Sequence, residues 1–248
     1  EQSGEAAALE DRRQLLVDQI SQFLPVKQIP GNLGTINLIT NEGVFLLSGT
    51  VREISFSPAV SIPAGATYDN GAGTLSGLTV GNQNITPGSS STFAGQSGLM
   101  AGFFSVRDAS APEFLDQIDG LAADLISRFS DDALDPTKTP GDPGVFTDNG
   151  NALDPLNITG LASRLKINAA VDPAQGGLVS RFRDGLGATV EGPSGDASTI
   201  GNFLDAFTAR QTAPAGSGLT GFLSSIESVA GVTSLVGDKR VRADAVLS

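Results

Sequence analysis

LEDRRQLLVDQISQFLPVKQIPGNLGTINLIT, residues 9–40, changes its period halfway along, and that change sets the fold class. In the first half Leu9, Arg13, Leu16, Ile20 and Phe23 recur at four- and three-residue steps. This is the spacing of one packed face of a helix, with Glu10, Asp11, Arg12 and Gln19 among the polar positions. Pro25 closes the pattern, because its ring crowds the preceding turn and it has no amide proton. Beyond Pro30 and Gly31 the alternation becomes two: TINLIT, a turn at Asn41-Glu42-Gly43, then VFLLSG, which predicts a β-hairpin.

Working outward, VREISF continues the alternation, with Val51, Glu53 and Ser55 opposite Arg52, Ile54 and Phe56. Tyr68-Asp69-Asn70-Gly71 is a turn, and TLSGLTV joined to QNIT through Gly81-Asn82 predicts a second hairpin. PGSSSTFAGQSG reads as a flexible surface connection, and GLMAGFFSVRD returns the chain to helix. Residues 113–129 place Leu115, Ile118, Ala122, Leu125 and Phe129 at three-four spacing, leaving Asp116, Asp119 and Asp124 to face water. This second seam matches the first. Leu9, Leu16, Ile20, Phe23, Leu115, Ile118, Leu125 and Phe129 are therefore the candidate helix-packing or subunit-interface residues.

The expected architecture is α+β: a discontinuous helix-rich domain, residues 1–32 with 108–248, carrying an inserted small all-β domain, residues 33–107. Residues 130–155, with Pro136, Pro140, Pro143 and many Gly and Asp residues, read as an irregular excursion. RLKINAAV predicts a short strand. Two helices are expected after it, over 198–210 with Ile200, Phe203, Leu204 and Phe207 on one side, and over 219–229 with Leu219, Phe222, Leu223 and Ile226.

Composition narrows the chemistry. Twenty-seven acidic against 15 basic residues give a formal charge of −12, which repels nucleic acid and anionic membrane surfaces. Without cysteine there is no disulfide, thiolate metal site or thiol nucleophile, and without histidine the commonest general base and metal ligand is gone. No Trp and a single tyrosine, Tyr68, count against ring-stacking sugar recognition. Apolar runs such as GVFLLSG fall far short of the roughly 20 residues that span a bilayer. The acidic opening lacks the basic and apolar parts of a secretory leader, so a soluble chain without membrane insertion is expected.

The remaining motifs are weak. GSGLTG, residues 216–221, matches the dinucleotide pattern G-x-G-x-x-G but follows a helix and Thr212-Ala213-Pro214 rather than a strand, so it reads as a helix-helix turn. Asp131, Asp132, Asp135, Asp142, Asp148 and Asp154 supply oxygen ligands of the kind calcium takes, but not at EF-hand positions, and read as solvated turn residues. Asn84 and Asn157 head N-I-T sequons whose use depends on the host. No catalytic, cofactor-binding or metal-ligating residue is assigned, and no cofactor is expected.

LEDRRQLLVDQISQFLPVKQ resembles the corresponding helix of the flagellar hook-associated protein 1 (FlgK) family, which forms the hook-filament junction of bacterial flagella. In the same order, TINLITNEGVFLLSG is similar to the family's first hairpin, TLSGLTVGNQNITP to its small β-domain and SGLMAGFFSVRD to the return into its helical domain. PGVFTDNG, SRLKINAAVDP, RFRDGLGA and GPSGDAS resemble the α-proteobacterial version. The resemblance implies a central fragment without the terminal coiled-coil helices, and a secreted, extracellular structural subunit rather than an enzyme. It also implies its partners: copies of itself, hook protein, neighbouring hook-associated or filament subunits, and an export chaperone. A β-rich extracellular ligand-binding module or adhesin is the alternative, and a carboxylate-only glycosidase the third reading.

Overall fold

The computed structural model describes residues 2–212 and 222–223, which divide into two compact units, the first ending at Pro112 and the second beginning at Glu113. Helices and small antiparallel sheets are both present, so the fold is α+β.

The first unit opens with helix α1, Gln2–Phe23, and then a four-stranded meander in the order β1 (Val26–Pro30), β2 (Ile36–Thr40), β3 (Phe45–Ser48), β4 (Thr50–Val51). The hairpin β2–β3 lies where the alternation placed it. Gly43 takes φ 97° in its turn, a left-handed conformation that glycine adopts without the clash a Cβ brings. Strand β1 is a correction to the sequence reading, which left 26–30 outside the sheet. Its Pro30 sits at the strand end, opposite Ile36, where a missing amide proton costs least. VREISF is split between β4 and β5 (Ile54–Ser55) instead of forming one strand. β5 pairs with β6 (Thr79–Val80), and β6 with β7 (Gln83–Asn84), as the second hairpin requires.

PGSSSTFAGQSG is tied down rather than loose. Ser91 Oγ donates to the Asn84 carbonyl at 2.6 Å, the Gly95 amide to the Ile85 carbonyl at 3.1 Å, and Ala94 is buried. Helix α2 (Gly98–Ser105) then packs on α1, and the approach is tight. Gly98 has φ +85°, and a Cβ there would stand 2.6 Å from the Phe23 carbonyl oxygen. One apolar core joins these parts: Val17 and Leu24 of α1, Leu38, Val44 and Leu46 of the first sheet region, Leu78, Val80 and Ile85 of the second, and Phe104 of α2.

After α2 the helix widens into a π-turn, Val106–Ser110, before α3, Ala111–Ser130. The Ala111 amide reaches back to the Val106 carbonyl, five residues away. Pro112 explains the widening: it cannot donate to the Asp108 carbonyl and its ring would crowd it in an α-turn.

In the second unit α3 supplies the long element. Phe129 packs with Val145, Val171, Leu186 and Phe203, and its ring centroid lies 5.0 Å from that of Phe146 and 5.6 Å from that of Phe203. Ala122, Ala123 and Ile126 pack on Leu161. The excursion 130–155 contains strand β8 (Phe146–Asp148), which pairs with β9 (Leu165–Ile167), the strand expected in RLKINAAV. Short helices α4 (Leu161–Arg164) and α5 (Arg181–Asp184) precede α6 (Ser198–Thr208), close to its expected span. Of the helix expected over 219–229, only Phe222–Leu223 are described, and they are a strand paired with Gln211–Thr212. The rest of that segment, and all of GSGLTG, lies outside the described residues.

Candidate assembly surface on the first helix

Helix α1 touches its own unit along a narrow stripe. Val17 and Leu24 are buried, and Arg13, which spacing placed in the seam, is half-buried, its Nη1 donating to the Gly34 carbonyl at 3.1 Å. Gln28 Nε2 of β1 donates to Gln14 Oε1 at 2.9 Å and fixes the helix against the sheet. Leu9, Leu16, Ile20 and Phe23 stay exposed, Leu9 at 68% and Leu16 at 51%. At 3.6 residues per turn their mean direction lies about 80° round the helix from Val17 and Leu24. Two adjacent apolar stripes thus share one helix, one filled and one open.

The second seam is used differently. Phe129 is buried and Leu125 half-buried in the core of the second unit, Ile118 is half-buried, and Leu115 is exposed. The aspartates between them do not all face water as expected. Asp116 does, but Asp119 and Asp124 are buried. Asp119 accepts from the Gly160 amide at 2.6 Å and the Ala162 amide at 2.8 Å. Asp124 accepts from Arg128 Nε at 2.7 Å, and Arg128 also donates to the Ala206 and Ala209 carbonyls. Burial of these groups is tolerated because each charge is paired or hydrogen-bonded. Helical spacing shows the Asp124–Arg128 pair but not its burial, since the amides on Asp119 and the carbonyls on Arg128 lie about forty to eighty residues downstream.

The acidic run is likewise engaged by the protein itself. Asp131 accepts from the Ala133 amide, Asp132 pairs with Lys138, Asp135 accepts from the Thr137 and Leu186 amides, Asp148 pairs with Arg164 at 2.7 Å, and Asp154 accepts from the Leu156 amide. Lys138 and the Gly141 amide hold the Asp132 carboxyl below its ordinary range. Among the described residues no three carboxylates converge as a cation would need. The arrangement satisfies backbone amides and cations of its own chain, which is structural chemistry.

The described surface most suited to an intermolecular role is the open stripe of α1. Fully burying each of its side chains stabilises by about 1.5–3 kcal/mol, and the seven-residue recurrence of Leu9, Leu16 and Phe23 is that of a coiled-coil seam.

A family model, the flagellar hook-associated protein FlgK helical domain, matches residues 1–144, more than half of the chain. No individually curated protein matches it.

Proposed function

The chain belongs to the flagellar hook-associated protein FlgK family, a family of structural flagellar proteins, and from that membership we propose that it is a subunit of the junction between hook and filament. The family assignment makes it an exported, self-assembling component of the flagellum. Among the described residues no helix is long and apolar enough to cross a membrane.

The open seam of α1 carries this reading: Leu9, Leu16, Ile20 and Phe23 form a continuous apolar stripe on a helix already anchored by its other side. A stripe of that kind takes a second helix, supplied by another subunit. Copies of the chain, hook protein, other hook-associated or filament subunits and an export chaperone are the partners proposed. Weak contacts repeated over many copies supply the strength of the assembly. No catalytic step is proposed.

Localisation tests it directly. Cells lacking the gene should build hooks without filaments, and a tagged intact product should mark the hook tip. Normal filaments in the deletion strain would overturn the reading.

The adhesin reading has one observation in its favour, a groove of about 430 Å³ lined by Tyr68, Pro87, Gly95, Gln96, Phe104 and Asp108. Three of its polar side chains already have partners: Asp108 is paired with Arg107, Tyr68 Oη accepts from Asn84, and Gln96 Nε2 donates to the Ala94 carbonyl. Little is left to read a ligand, and an empty glycan screen is the expected result.

A further inference from the structure

Four aspartates of the second unit stand directly before a proline: Asp135, Asp142, Asp154 and Asp172. An Asp-Pro peptide bond is labile in acid. The aspartyl carboxyl reaches its own carbonyl carbon through a five-membered ring, and the prolyl nitrogen, part of a tertiary amide, leaves readily.

Three of the four are tied down. Asp135, Asp154 and Asp172 each accept from the backbone amide two residues on, Thr137 at 3.0 Å, Leu156 at 3.0 Å and Ala174 at 2.9 Å. This closes a side-chain turn over the proline and holds the carboxylate as an acceptor. Asp135 is buried and takes the Leu186 amide as well, and Asp172 takes Gln175 Nε2. The carbonyls of these three accept from backbone amides, which are neutral.

Asp142 differs in both respects. It is exposed, and its carboxylate takes no hydrogen bond from the described residues. Its carbonyl oxygen accepts from Lys138 Nζ at 3.2 Å. The Lys138 side chain is only 3% exposed and is paired with Asp132, so its ammonium is fixed on that carbonyl. Thr137, Thr139, Asn168, Ala170, Leu186 and Gly187 line the groove beside the bond and are uncharged; Lys138 and Asp132 are the charged groups that face it.

We propose that the Asp142–Pro143 bond is a self-cleavage site of this chain and that Lys138 promotes the break. One oxygen of the protonated Asp142 carboxyl attacks the Asp142 carbonyl carbon, and the Lys138 ammonium donates to the oxyanion that forms. The bond to Pro143 then breaks, the proton of the carboxyl passes to the prolyl nitrogen, and Asp142 is left as a cyclic anhydride. Water opens the anhydride. The products are a chain ending at Asp142 and one beginning at Pro143, the sum of one hydrolysis with water as the sole co-reactant. Because the attacking carboxyl carries the proton, the rate rises as pH falls toward about 4. The pieces stay together after the break, since Phe129 on one side packs with Val145, Val171 and Phe203 on the other.

Mass measurement decides it. The 248-residue chain, kept folded for several days at about pH 4.5, should yield fragments 1–142 and 143–248, with several-fold less cutting after Asp135, Asp154 and Asp172. In urea at the same pH that selectivity should vanish, because the fold no longer distinguishes the four bonds. Asp142→Glu keeps the charge but enlarges the ring and should abolish the cut. Lys138→Met should slow it several-fold while Lys138→Arg, which restores a donor, recovers much of the rate. A folded chain that stays whole, one cut equally after Asp154 or Asp172, or a cut that persists in Asp142→Glu would each overturn the site. Equal rates in the parent, Lys138→Met and Lys138→Arg would overturn the part given to the lysine. If Lys138→Met unfolds the segment, cutting after all four aspartates will show it, and Lys138→Arg then decides: a slow cut in a folded Lys138→Arg chain would reject a donor at that carbonyl.

Discussion

The buried polar side chains of the first unit, Thr40 and Thr86, are uncharged, whereas the buried set of the second includes Asp119, Asp124, Arg128, Asp135, Lys138 and Asp148. Every buried charge among the described residues lies beyond Pro112. The reason is how each unit satisfies its backbone. In the first, hairpins and meander pair amides with carbonyls, and the Thr40 and Thr86 hydroxyls take the Val44 and Leu78 amides, so no charge is needed inside. In the second, residues 131–197 hold only short helices and one two-stranded ladder, and carboxylates take over the work of a sheet edge. Asp119, Asp131, Asp135, Asp154 and Asp172 each accept from at least one backbone amide. Carboxylates can replace secondary structure, at the cost of making that unit sensitive to pairing and to pH.

The largest perturbation asks whether the β elements can be removed at all. We propose from the sequence that residues 33–107 are an insertion into a domain made of 1–32 and 108–248. Replacing 34–105 by a short Gly/Ser linker should then leave a helical remainder that melts cooperatively, followed by circular dichroism. The two apolar clusters of the second unit draw every member from beyond Glu113, so they lose nothing. Val17 and Leu24 of α1 lose Leu38, Val44 and Leu46, and this makes the test severe. Loss of all helical signal would mean one inseparable core and sink the layout.

Next in size is the ion pair of α3. Arg128→Ala strands a buried carboxylate, Asp124, and releases two carbonyls at the end of α6, so a loss of about 3–5 kcal/mol is expected in denaturant titration. Ile85→Ala in the first unit removes only apolar volume and should cost about 2–5 kcal/mol. The two differ in what remedies them. Replacing Asp124 and Arg128 together by apolar residues should recover much of the loss, while nothing short of refilling the cavity restores Ile85→Ala. A double replacement as damaging as Arg128→Ala alone would break the contrast between the units.

Parts of this contrast were legible in the sequence and parts were not. Both hairpins were, because alternation and a glycine at the turn are local signals; Gly43 and Gly81 take the positive φ their turns need. The helices 113–129 and 198–210 followed from three-four spacing. Strand β1 was missed because the helix-stopping Pro25 and the terminal Pro30 framed its five residues as a connection. The π-turn was missed because its cause, Pro112, looks like an ordinary helix start. Asp119 and Asp124 read as facing water because periodicity takes a charge for an outer face; it cannot see the amides that Asp119 accepts from about forty residues away, nor the Ala206 carbonyl that draws Asp124's partner Arg128 inside. On α1 the spacing selects Leu9, Leu16, Ile20 and Phe23, which are exposed, whereas the residues that pack on the sheet are Val17 and Leu24, and that choice requires knowing where the sheet lies.

Acid should act on the second unit through a different set of carboxylates, hydrogen-bonded ones nearer its surface. Asp132, Asp172, Asp184 and Asp196 are held below the ordinary range, chiefly by hydrogen bonds from Lys138, Gln175, Arg183 and the Ser198 amide respectively. A carboxyl whose folded value is depressed is protonated first in the unfolded chain. Its stabilisation is therefore present above about pH 4 and fades as pH falls through the folded value. Amide exchange or a tyrosine-free probe of the second unit should show it loosening below about pH 4, before the first unit, whose single tyrosine, Tyr68, reports separately. Simultaneous loss of both units would show that the apolar core depends on the carboxylate-held one.

The smallest expected effect on stability falls on the surface that matters most for assembly. Leu9→Ser, Leu16→Ser and Ile20→Ser change exposed positions of α1 that do not belong to its core, and each should move the unfolding free energy by no more than about 0.5 kcal/mol. Val17→Ser, one residue from Leu16 but buried, should cost several times more, since it removes core volume and buries a hydroxyl in its place. The pair Leu16 and Val17 thus compares the two stripes on one helix without changing its position in the fold. In cells the order should reverse with respect to function: the triple serine variant should accumulate at ordinary levels and yet fail to hold filaments on hooks. Filaments as numerous as in the parent strain would show that the open stripe is not an assembly surface and would place subunit contacts elsewhere on the chain.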